Sequence, residues 1–203
     1  MSLFSSVEMA PRDPILGLNE QFAADPSPHK VNLGVGVYFD ENGKLPLLTC
    51  VRSAEEHLMS KPSARGYLPI DGIAAYDAAV KALVFGAESS ALSDQRVATV
   101  QALGGTGGLK IGADFLKKIN PNAKVLISDP SWENHRALFS QAGFSVGTYA
   151  YYDAHQRGVN FQGMLDSLRQ AEVGTVVVLH ACCHNPTGYD LSHAQWEQVI
   201  EVV

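Results

Sequence analysis

From Arg96 to the last residue, apolar runs of two lengths alternate without a break, and this alternation limits the fold more than any other feature. RVATVQAL (96–103) reads as a β-branched strand and LKIGADFLKKI (109–119) as a helix with lysines in its last turn, where they oppose the helix dipole. KVLISDP (124–130) follows as a strand, and WENHRALFSQAG (132–143) as a helix closed by Gly143. FSVGTYAYY (144–152) reads as a strand, and MLDSLRQA (164–171) as a helix. TVVVLHA (175–181) is apolar almost throughout, the pattern of a parallel strand covered on both faces. Strands that alternate with helices predict an α/β domain with a doubly wound, mostly parallel sheet.

The rest of the chain frames that domain. Residues 1–46 hold Pro11, Pro14, Pro26, Pro28 and Pro46 and read as irregular, with VNLGVGVY (31–38) a short extended run. A helix is predicted from Leu47 to about Ser60, a loop over RGYLPIDG (65–72), and a helix over 73–86 that stops at Gly86. At the other end, Ser192 and Gln195 form a capping-box signature, and Trp196, Val199, Ile200 and Val203 make an apolar stripe. That stripe ends on EVV with no cap or polar run-out, so the chain reads as a fragment of a longer protein.

Composition excludes several classes. The net charge of -6 and pI near 5.6 argue against nucleic acid or an anionic membrane surface as a partner. No run approaches the roughly 18 apolar residues of a membrane helix, and MSLFSSVEMAPRDP lacks the cationic start and apolar core of a signal peptide. Three cysteines, two of them adjacent, make no disulfide framework, so a reducing cytoplasm is the expected compartment.

Three stretches at strand carboxyl ends carry chemistry. Gly104-Gly105-Thr106-Gly107-Gly108 reads as a loop between strand and helix, where backbone N–H groups and a threonine hydroxyl can cradle an anion. It is neither a P-loop nor G-x-G-x-x-G, and the alternative is a tight turn that needs only flexibility. In DPSWENH (129–135), Ser131 is placed to cap the next helix and Trp132 to offer a flat face for a planar ring. The alternatives are an indole plugging the helix–sheet seam and a structural His135. In HACCHNPTG (180–188), a metal site is disfavoured because adjacent cysteines on a strand point to opposite faces. Cys182 and Cys183 read instead as small buried hydrophobes, and Asn185-Pro186 as a candidate cis peptide whose carboxamide faces the same edge. An anion cup, a stacking ring and an amide together suit a phosphorylated aromatic cofactor.

NLGVGVY, RGYLPIDG, GGTGG, DPSWENH and HACCHNPTG, in this order, resemble the aspartate/aromatic amino-acid aminotransferases, fold-type I enzymes that depend on pyridoxal 5′-phosphate (PLP). The resemblance runs from about Pro14 to the end and corresponds to the N-terminal half of such enzymes. It implies that 1–46 form an arm and a small-domain segment, and 47–203 the first part of a PLP-binding large domain. It further implies that Gly105 and Thr106 hold the phosphate, Trp132 stacks on the ring and Asn185 donates to the ring's phenolic oxygen. By the same resemblance Gly36 meets the substrate carboxylate, with Trp132 and Asn185 also beside the substrate. Tyr67 reaches the phosphate of a neighbouring subunit in a homodimer. The implied reaction moves an amino group from aspartate or an aromatic amino acid to a 2-oxo acid such as 2-oxoglutarate, by a ping-pong route. The Schiff-base lysine of the family has no counterpart in any matching motif and is expected beyond Val203. The chain alone is therefore expected to be inactive, or to act as a non-catalytic PLP- or phosphate-binding fragment.

Overall fold

The computed structural model describes residues 4–9, 14–32, 34 and 36–203. Pro11, and Leu33 and Val35 of the expected extended run, lie outside the described residues. The chain divides into two compact units, Met1–Gly66 and Tyr67–Val203. The first holds α1 (Pro14–Ala24) and α2 (Thr49–Ser60). The helix α1 corrects the expectation of an irregular start: Pro14 opens it at the first helical position, where its missing N–H costs nothing, and the next proline is Pro26. None of the residues of α2 is buried.

The second unit begins with α3 (Ala74–Phe85), closed by Gly86 at φ +84°, and the short α4 (Ser90–Ser93). There follow α5 (Gly104–Ile119), β1 (Lys124–Asp129), α6 (Glu133–Gln141) and β2 (Ser145–Ala150). After them come β3 (Tyr152–Asp153), β4 (Gly158–Val159), α7 (Phe161–Arg169), β5 (Val176–Val177) and α8 (His193–Val202). The main sheet has the order β2-β1-β5, and both pairings are parallel. Strands β3 and β4 form a small antiparallel hairpin that the sequence pattern did not indicate.

The alternation of side chains along the strands builds a core on each face. Val125 and Ile127 turn one way, into a cluster with Ala113 of α5 and Phe139 of α6, joined by Phe144 and flanked by Val176 and Val178. Leu126, Val177 and Leu179 turn the other way, against Tyr149, Tyr151, Met164, Leu165 and Leu168, with Val199 of α8. Burying a side chain such as Val125, which is fully enclosed, contributes about 1.5–3 kcal/mol. The architecture is thus the expected doubly wound α/β layer.

Four local expectations are corrected. RVATVQAL forms no strand and belongs to no ladder, because no strand lies beside it among the described residues; Arg96 N–H donates to the Ala91 carbonyl and Gln101 N–H to the Asp71 carbonyl, each at 2.9 Å. GGTGG is not a loop: Gly104 to Gly108 form the opening of α5 itself. The run 175–181 pairs over two residues, with one further bond from Val178 N–H to the Leu126 carbonyl, and it is half-buried because its outer edge is open among the described residues. In α8 the packed face is Trp196, Val199 and Val202, while Ile200 and Val203 are exposed. The capping box is present in full, with Gln195 N–H donating to Ser192 Oγ and Ser192 N–H to Gln195 Oε1.

Candidate cofactor site

The chain runs from β1 outward to β2 and then returns across β1 to β5, so the direction of winding reverses between β1 and β5. In open α/β sheets the crevice at such a reversal, beyond the strands' carboxyl ends, is where ligands sit. Trp132 follows β1 and Asn185 follows β5, so the two flank that crevice. Because α5 leads into β1, its N-terminus lies at the same end.

The start of α5 has the properties of an anion cradle. Gly104 is at φ +64°, a conformation that favours glycine, whereas Gly105 is not in the left-handed region and a Cβ there would meet nothing within 4 Å. Neither backbone strain nor crowding inside this chain requires glycine at 105, which leaves close approach of an external group as the physical use of the missing side chain. The first-turn N–H groups of a helix lack intrahelical acceptors, and the helix dipole adds positive potential. Thr106 is exposed and lines a cavity of about 520 Å³ together with Gly107 and Lys110 of α5 and Asn134, Ala137 and Leu138 of α6. Thr106 and the first turn of α6 are therefore neighbours. Lys110 is engaged by Asp114 along its own helix.

Trp132 is the N-cap residue of α6 and is half-buried. Ser131 does not cap the helix, as the sequence suggested. Its hydroxyl instead meets His135 Nδ1 at 2.9 Å, since an imidazole one turn on competes for it. From Trp132 a row of rings crosses the crevice. The indole meets His135 edge-on at 5.3 Å between centroids, His135 meets His180 at 5.0 Å, and His180 meets His184 at 4.4 Å. His184 stacks on Tyr151 at 3.8 Å. His180 in turn accepts the Asn185 N–H at Nδ1, 3.1 Å away. The row thus ties Trp132 to Asn185 through two imidazoles.

Burial sets the electrostatics of this row. It pushes His184 down to about 4, helped by the nearby His180 and His135 and opposed by Asp190. His135 and His180 are lowered by the same cause, so all three are held neutral near pH 7. The Tyr151 hydroxyl is raised to about 12 by burial and donates to the Tyr189 carbonyl at 2.7 Å. His184 Nε2 lies 2.9 Å from Ser128 Oγ, and its Nδ1 2.8 Å from Thr187 Oγ1. His180 Nε2 is buried and has no hydrogen-bond partner among the described residues.

The turn after β5 carries a second correction. Cys182 and Cys183 are exposed free thiols, not buried hydrophobes, because the chain leaves the strand before reaching them. Cys183 sits at φ +53°, and its thiol is raised by the adjoining Cys182. The Asn185-Pro186 peptide is cis, as is Asp129-Pro130, which the sequence did not suggest. Among the described residues no three His, Cys, Asp or Glu side chains converge as a metal site would require.

Of the six residues singled out from sequence, Gly105, Thr106, Trp132 and Asn185 thus come to one edge of the second unit. Tyr67 belongs to that unit and is fully exposed, and Gly36 lies exposed in the first unit. Sequence reasoning missed Ser128, Asp190 and the supporting role of His180 and His184. The H-x₃-H spacing of His180 and His184 is visible in the sequence but names no partner beyond the disfavoured metal site, and no local pattern links Ser128 to His184 across 56 residues.

Comparison with known proteins gives the family. The family Aminotransferase class I and II matches residues 28–203. The aspartate aminotransferase of Pseudomonas aeruginosa is 61% identical over 203 residues, covering 100% of this chain and 51% of that protein. The aromatic-amino-acid aminotransferase of Escherichia coli is 48% identical over 202 residues, covering 99% of this chain and 51% of that protein. Among solved structures, the aromatic-amino-acid aminotransferase from Burkholderia pseudomallei covalently bound to pyridoxal phosphate superposes with a TM-score of 0.94 at 67% identity. It covers 100% of this chain and 51% of that one. The chain spans about half the length of the curated relatives it matches. With the sheet reversal, the glycine-opened helix and the ring-lined crevice in place, the chain belongs to the class I and II aminotransferases and carries their fold-type I architecture.

Proposed function

We propose that this chain binds PLP and forms part of a transaminase that moves an amino group from aspartate or an aromatic amino acid to a 2-oxo acid such as 2-oxoglutarate. The single observation that carries the reading is the open start of α5 beside the Trp132 turn of α6, with Asn185 joined to the same cluster through His180. Gly105 and Thr106 would hold the phosphate through backbone N–H groups and a hydroxyl. Trp132 would cover one face of the ring and exclude water from it. Asn185 would donate its carboxamide to the phenolic oxygen and so hold that oxygen as an anion. When bound, PLP supplies an electron sink and a temporary carrier for the amino group.

Two further residues extend the site. The Gly36 N–H would meet the substrate carboxylate, and Tyr67 would reach the phosphate of a neighbouring copy in a homodimer, consistent with its full exposure here. Residues 1–46 would serve as an arm and small-domain segment, and 47–203 as the first part of the large domain. We place the protein in the cytoplasm; no helix among the described residues is long and apolar enough to cross a membrane.

The test is a PLP titration of the 203-residue chain followed by indole fluorescence. Quenching is expected in the wild type and not in Trp132→Phe, and Thr106→Val is expected to raise Kd about tenfold by removing one charge-assisted hydrogen bond. Absence of quenching in the wild type, or equal quenching without Trp132, would overturn the assignment. Binding with no spectral response to added amino acid would favour the second reading, a non-catalytic PLP-binding fragment, since no lysine here matches the family's attachment motif.

A further inference from the structure

Gly105, Thr106 and Trp132 are presented at helix starts, whereas Asn185 stands on a turn, and such a turn needs something to hold it. The two residues just before it are bound by one carboxylate: Cys183 N–H donates to Asp190 Oδ2 and His184 N–H to Asp190 Oδ1, each at 2.8 Å. Cys183 is in the left-handed region that L side chains rarely adopt, so this backbone does not hold itself in place. The two donated bonds hold the Asp190 carboxyl below its ordinary range.

On the inner side, the His184 ring is fixed by Ser128 of β1, by Thr187 and by the stack on Tyr151. The Asn185 N–H then donates to His180 Nδ1. An imidazole that accepts at Nδ1 while neutral carries its proton at Nε2. The backbone N–H groups of residues 183–185 are thus all engaged, and the Asn185 carboxamide is exposed and makes no hydrogen bond among the described residues.

We propose that Asp190 is a positioning residue: its carboxylate holds the 183–185 backbone so that Asn185 keeps His180 in the Nε2–H form and leaves its own carboxamide free for the ligand. The last clause rests on reading Asn185 as a cofactor contact; the rest does not. Asp190 itself touches no reacting atom.

The experiment uses the 203-residue chain labelled with ¹⁵N at histidine, as wild type, Asp190→Asn and Asp190→Glu. In Asp190→Asn one oxygen acceptor becomes a donor, so one of the two amides loses its partner. Its hydrogen exchange is expected to quicken at least about tenfold, the loss of one charge-assisted bond, and the His180 nitrogens to shift from one tautomer to a mixture. The amides of Val125–Asp129 are expected to keep their protection, and Asp190→Glu, which retains both acceptors, to keep the wild-type tautomer. An unchanged His180 tautomer with slow exchange at 183–185 would overturn the proposal. So would loss of protection throughout β1, which would make Asp190 a support of the fold and not of the turn. A PLP titration of Asn185→Ala addresses the other clause: unchanged affinity would remove Asn185 from the cofactor site while the cofactor-free readouts at Asp190 stand.

Discussion

Three imidazoles, those of His135, His180 and His184, meet ring to ring, and burial favours the neutral form of each. The consequence for stability has a definite sign. The folded state holds His184 at about 4, against 6.5 for a free histidine. The unfolded chain therefore binds more protons between those values, so stability is fully present above pH 6.5 and is lost as pH falls toward 4. His135 and His180 add to the same slope. The urea midpoint of the wild type is expected to fall across this window, and that of His184→Gln to fall less steeply, because one of the three titrating rings is gone. Parallel curves for the two proteins would show that the His184 ring is not held neutral by the fold. At this scale the sequence was partly legible. Gly105, Thr106, Trp132 and Asn185 could be picked out because each stands beside a strand-to-helix boundary, whose position follows from local periodicity. Ser128 and Asp190 could not, since their significance lies in partners brought together by the fold.

Helix α5 shows how far element-level reading reaches. Its body, 109–119, was legible from apolar spacing and terminal lysines, but its first turn was hidden by four glycines, which local propensity assigns to a loop. The helix forms there all the same, since Ala113 and Leu116 anchor its apolar face to the core and Gly107 N–H bonds the Leu103 carbonyl at 3.2 Å. Gly108 has no conformational reason to be glycine, and a Cβ on it would meet the Ala102 Cβ at 3.9 Å, an ordinary contact. Gly108→Ala is therefore expected to stabilise the chain by about 0.5–1 kcal/mol, seen as a raised denaturant midpoint with unchanged slope. A destabilised variant would mean that the helix start needs freedom at 108. By contrast, 96–103 reads as a β-branched strand from its sequence but forms no strand among the described residues. A sequence shows that a segment suits a ladder, not whether its neighbour is present.

The whole molecule makes the same point in area. A folded chain of 21.8 kDa exposes roughly 9,300 Å² on the usual scaling, and about 11,000 Å² if its two units are counted as separate bodies. This chain exposes 15741 Å². Part of the excess is apolar and ordered along elements: Ile111, Phe115 and Ile119 stand exposed along α5, with Leu103 just before it, while Ala113 and Leu116 of the same helix pack into the core. Asp77 adds a buried carboxyl oxygen with no hydrogen-bond partner among the described residues, an unfavourable burial. Exposed apolar area of this extent binds the dye ANS. The 203-residue chain is accordingly expected to bind ANS several-fold more strongly than the Pseudomonas aeruginosa relative at its full length. The signal is expected to fall when the chain is refolded with the half of that relative it does not match. A sharp, dye-silent unfolding transition for the chain alone would mean that these surfaces find cover within the 203 residues, and the area comparison would then be wrong as a guide to this molecule.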